Sequence, residues 1–98
     1  MRRGTTPTHE FTTDIDLTTA NQIYITYKQG GKVRVEKKLP DITVTAEKLT
    51  VELTQEETLA FNISDNVEIQ IRALTGTNAI ASNVINTKAQ KILKEGVI

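Results

Sequence analysis

The chain has 98 residues, with twelve Lys plus Arg against twelve Asp plus Glu, one histidine and no cysteine. That length fits one domain, near the lower limit at which an apolar core holds a fold alone, and the missing cysteines exclude disulfides, thiolate metal sites and cysteine nucleophiles. A neutral chain sets up no long-range field toward nucleic acid or anionic lipid, and sixteen threonines, against two phenylalanines and two tyrosines, favour extended structure.

The opening MRRGTTPTHEF has no apolar stretch after Arg2 and Arg3, so no secretory signal is expected. No run approaches the roughly 20 apolar residues that span a bilayer. Residues 1–8 read as a flexible lead-in that orders against a neighbouring subunit. HEFTTDIDL, residues 9–17, reads as a first strand using Phe11, Thr13 and Ile15, and TTAN after it as a turn.

In QIYITYKQ, residues 22–29, Ile23, Ile25 and Tyr27 alternate with Tyr24, Thr26 and Lys28. KVRVEKKL repeats the pattern beyond Gly30-Gly31, with Val33, Val35 and Leu39 expected inward and Arg34, Glu36 and Lys38 outward. Two alternating runs joined by Gly-Gly predict a β-hairpin, which Pro40 and Asp41 end. ITVT (42–45) and KLTVEL (48–53) predict a second short pair around Ala46 and Glu47. Thr54 and Glu57 have capping-box spacing, predicting a short helix near residues 55–60 that carries Leu59 and Phe61 to the core.

NVEIQIRA, residues 66–73, is a strand with Val67, Ile69, Ile71 and Ala73 inward. Thr75 to Asn78 turn the chain, and AIASNVINT returns as an antiparallel partner. There Ile80 and Val84 are out of phase with Ile85 unless a bulge intervenes. AQKILKEGVI reads either as a short helix or as a last strand. Six to seven short strands with one short helix predict a mainly β fold, an antiparallel immunoglobulin-like sandwich forming a single domain over 1–98.

Few residues offer chemistry. His9 is the only histidine and lacks a nucleophile in view, so a solvated strand residue is the simpler reading. Asp14 and Asp16 could offer oxygens to calcium, but the glycine and downstream glutamate of an EF-hand loop are missing. No phosphate loop, GxSxG or HExxH occurs. Catalytic, cofactor-binding and metal residues are therefore expected to be none.

Charge is uneven along the chain. Lys28, Lys32, Arg34, Lys37 and Lys38 precede an acidic stretch that includes Asp41, Glu47, Glu52, Glu56 and Glu57, a polarity that would suit subunits meeting head to tail. Tyr24, Lys28, Lys32, Arg34 and Lys38 form the candidate interaction surface. Lysines also keep an exposed strand edge from promiscuous pairing, and without an RRM signature no nucleic-acid partner is expected.

RRGTTP, IYITYKQ, LTQEETLAF, VEIQIRA and ILKEGVI, in this order, resemble short prophage-encoded proteins of Gram-positive bacteria. The resemblance implies a virion structural protein of tail or baseplate type. Such a protein would be made in the bacterial cytoplasm, without cofactor, and its partners would be other phage structural proteins or itself, with no membrane. The alternative is a protein- or carbohydrate-binding module of a bacterial surface system, although Tyr24 is the only obvious outward aromatic for a sugar platform.

Overall fold

The computed structural model describes residues 1–63, 65–82 and 84–98. Among them are eight strands and one helix: β1 (Thr8–Thr12), β2 (Gln22–Gln29), β3 (Lys32–Lys38), β4 (Thr43–Val44), β5 (Lys48–Glu52), α1 (Gln55–Leu59), β6 (Asn66–Thr75), β7 (Asn78–Ala81) and β8 (Ile85–Lys88). They build two antiparallel sheets. One has the order β1-β5-β4; the other runs β3-β2-β6, and β6 then pairs with both β7 and β8.

Alternation gives each sheet one apolar face, and both faces contribute to one buried cluster. Ile23, Ile25 and Tyr27 come from β2, Val67 and Ile69 from β6, and Leu49 and Val51 from β5. Each such large side chain contributes roughly 1.5–3 kcal/mol by leaving water. A mainly β, antiparallel fold is thus as expected.

The β2–β3 hairpin turns at Gly30 and Gly31, whose φ values of 60° and 76° suit the I′ geometry that two-residue hairpins favour. Its inward pattern needs correction. Tyr27 lies opposite Val35 but Lys28 opposite Val33, so Arg34 is an extra residue in a bulge. The bulge turns Val33 outward, where it is 52 % exposed, while Lys37, in phase with Val35, takes an inward place with a side chain only 11 % exposed.

β6 binds β2 along its length and receives the returning chain on its other side. That return forms two strands, not one. The register of the return shifts by one residue between the two ladders, from Arg72 opposite Ala81 to Ile69 opposite Ile85. It sets Ile80 opposite Ala73 and Ile85 opposite Ile69, on one face. Asn83, inside that expected strand, lies outside the described residues.

The capping box forms as predicted: Glu57 N donates to Thr54 Oγ1 at 3.1 Å, and Thr54 N donates to a Glu57 carboxylate oxygen at 2.8 Å. Phe61 reaches the core, but in the helix Thr58, not Leu59, is the buried residue. Its hydroxyl donates to Thr5 O at 2.9 Å.

The chain ends depart further from expectation. β1 stops at Thr12 and pairs with β5, leaving Ile15 54 % exposed, while Leu17 enters the core. The segment 91–98 is neither helix nor strand. Within residues 1–8, expected as a flexible lead-in, residues 1–3 are tied to positions 90 and 91: Arg3 N donates to Gln90 O at 3.1 Å, Gln90 N donates to Met1 O at 2.7 Å, and the Arg2 guanidinium donates to Lys91 O at 2.6 Å.

Candidate functional site

Strand alternation sends Tyr24, Thr26 and Lys28 of β2 to the face of the large sheet that lies away from the core. Register sets Arg72, Gln70 and Glu68 of β6 opposite them on one side, and Lys38, Glu36 and Val33 of β3 on the other. The structure thus brings Tyr24, Lys28 and Lys38 onto one face. Lys32 stands at the hairpin end opposite Gln29, and Arg34 occupies the bulge. Tyr24 with Lys38 and Lys28 with Lys32 mark opposite ends of the hairpin, about 13–17 Å apart at ~3.3 Å per residue.

Arg72 was missed by sequence reasoning, although it stands directly opposite Tyr24. Its outward place was readable from the alternation of β6; its neighbour was not, because the pairing of β6 with β2 is long-range. The face is mixed in charge, with Glu68 opposite Lys28 and Glu36 accepting a 3.2 Å hydrogen bond from Thr26. A groove of about 410 Å³ crosses it, lined among others by Lys28, Val33, Glu68, Arg72 and Val84. Val33 and Val84 are 52 % and 45 % exposed, so two apolar side chains sit among charges of both signs. Among the described residues, β3 has a ladder only with β2, so its other edge is open to a further strand.

A second polar group joins the two sheets from inside. His9 Nδ1 and Tyr27 Oη are 2.7 Å apart, and the Lys37 ammonium lies 2.7 Å from a Glu57 carboxylate oxygen. Burial lowers the proton affinity of His9, and burial followed by the Glu57 charge holds the Tyr27 phenol well above its ordinary value. A neutral imidazole accepting from a protonated phenol satisfies both groups. Burial pushes Glu57 upward, but hydrogen bonds from Lys37 and Thr54, with the Lys37 charge, bring it below the usual carboxylate range. His9 is therefore half-buried against Tyr27, where the sequence suggested a solvated strand residue. The arrangement ties β1 to β2 and β3 to α1 while keeping each buried polar group paired.

Asp14 and Asp16 lie beyond β1. Asp16 accepts from the Thr18 backbone N–H at 2.9 Å and from its hydroxyl at 2.6 Å, forming a local turn. Among the described residues, no three His, Cys, Asp or Glu gather closely enough to hold a metal ion. Nor is any described helix long and apolar enough to cross a membrane. No protein-family model, curated protein or solved structure matches the chain.

Proposed function

We propose that this chain is a non-enzymatic structural or assembly module of a phage or prophage particle, of tail or baseplate type, acting through protein–protein contacts. Its two sheets are read as a sandwich of immunoglobulin-like type, an assignment supported by their shared core and the chain length. The observation that carries the contact reading is the open edge of β3 beside a mixed-charge groove containing Val33 and Val84. An open edge gives affinity through backbone hydrogen bonds, and flanking side chains give selectivity. The phage setting is supported by the segments RRGTTP, IYITYKQ, LTQEETLAF, VEIQIRA and ILKEGVI.

Mass spectrometry of purified particles induced from a lysogen that carries the gene tests this reading. The expected result is the chain at a stoichiometry comparable to other structural proteins. Its absence from particles and from assembly intermediates overturns the proposal.

A further inference from the structure

Where β1 ends, residues 12–17 leave the small sheet and border a cleft of about 330 Å³ against β6 and β7. Leu17, Ile71, Ala73 and Ile80 give it an apolar lining, and exposed Asp14 and Ile15 border it. A benzene-sized group fills a cavity of about 150 Å³, so the cleft has room for one or two aliphatic side chains.

The segment 91–98 offers such side chains. Leu93 is 91 % exposed, Val97 57 % and Ile98 88 %. They are not on a loose strand: Arg2 binds Lys91 O at 2.6 Å, Arg3 binds Glu95 at 3.0 Å, and Gln55 exchanges hydrogen bonds of 3.0 and 2.8 Å with the Ile98 backbone. Holding the segment in place lowers the ordering cost of presenting it to a partner.

The tail and the cleft lie at opposite ends of the sheets. Lys88, just before the tail, pairs with Asn66 at the start of β6, whereas Ile71 and Ala73 lie roughly 17–23 Å further along at ~3.3 Å per residue. Likewise Gln55, which holds Ile98, follows the Glu52 end of β5, which pairs with Thr8; the cleft opens past Thr12 at the other end of β1. The tail is thus held away from its own cleft.

Charge matches as well. Lys91 and Lys94 flank Leu93, and Asp14 and Asp16 flank Ile15. Among the described residues neither Lys94 nor Asp14 belongs to an ion pair.

We propose that copies of this chain join head to tail, Leu93 of one copy seated in the inter-sheet cleft of the next, with Lys94 against Asp14. This inference rests on the assembly reading above and makes a second copy the partner. Because the two surfaces differ, the contact is heterologous, and copies add in a row or close into a ring.

Light scattering over a concentration series up to about 1 mM tests it. The expected mass rises with concentration and falls with added salt, because the ion pairs are at the rim. L93D and I15D change exposed residues, so unaltered circular dichroism is expected, with self-dissociation constants raised roughly tenfold or more. L93D keeps an intact cleft and I15D an intact tail, so their mixture forms one-to-one dimers and nothing larger. D14K and K94D each weaken association, and D14K/K94D restores it. A strict monomer at about 1 mM, wild-type association in both L93D and I15D, or a mixture that stays monomeric overturns the head-to-tail contact. Detection of the chain in particles is independent of all three, so the two proposals fail separately.

Discussion

Gln29 ends the alternating run of β2 on its inner side, fully buried, where an apolar residue would continue the pattern. Its amide donates to Asn62 O at 2.8 Å and to Asp65 O at 3.3 Å and accepts from Asn62 N at 2.7 Å, fastening the chain after α1 to the large sheet. Gln29→Leu leaves those backbone groups unpaired, at about 1–3 kcal/mol for each stranded group. Urea denaturation should therefore show a loss of about 2–4 kcal/mol with an unchanged slope; a loss below about 0.5 kcal/mol would refute the role assigned to the amide.

Two other residues, His9 and Glu57, contribute to the acid response. His9 has a folded proton affinity below its unfolded value, so its full contribution is present above about pH 6.5 and is lost as pH falls through the lower folded value. Glu57 is also depressed when folded, so its contribution holds above about 4.5 and is lost on further acidification. Stability plotted against pH should accordingly fall in two limbs. His9→Gln should flatten the upper limb and Glu57→Gln the lower, each leaving the other in place.

At the scale of elements, the capping box does more than begin a helix. The carboxylate that caps Thr54 also meets Lys37, so a five-residue helix is anchored to β3 by the group that starts it. Thr54→Ala should cost about 1–2 kcal/mol, and Thr54→Ser, which keeps the acceptor, less than half of that. Equal losses in the two variants would show that the methyl group, not the cap, matters. The box was legible in sequence because its partners are three residues apart. Its link to β3 was not, because Lys37 and Glu57 are far apart in the chain and no fixed spacing announces their contact. β2 and β6 were legible because their alternation is uninterrupted.

At the scale of the whole molecule, the chain's two ends brace each other. Residues 1–3 run beside residues 88–91, and Arg3 also donates to Leu59 O at 3.0 Å. Removing residues 1–5 should lower the melting temperature by several degrees, since about 1–2 kcal/mol corresponds to roughly 4–8 °C or more in a domain of this size. It should also hasten trypsin cleavage at Lys91 and Lys94. Unchanged melting and cleavage would restore the flexible lead-in that the opening residues suggested. The charge blocks fare differently. Lys37 is satisfied by Glu57 and Lys28 stands opposite Glu68 within one copy, so a head-to-tail contact rests on Asp14, Leu93 and Lys94 and not on those blocks.

What the sequence by itself determined is local: period-two alternation, the Gly-Gly turn and the capping box specify a β-rich chain and most of its strand positions. These features involve neighbours within a few residues, whose preferences the backbone imposes directly. Only the tertiary structure decided that β1 pairs with β5, that Lys37 meets Glu57 and Val33 turns outward, that Arg72 meets Tyr24, and that an irregular tail is held with Leu93 exposed. Each of those outcomes depends on residues tens of positions apart competing for one core and its edges, and such competition leaves no fixed spacing to read.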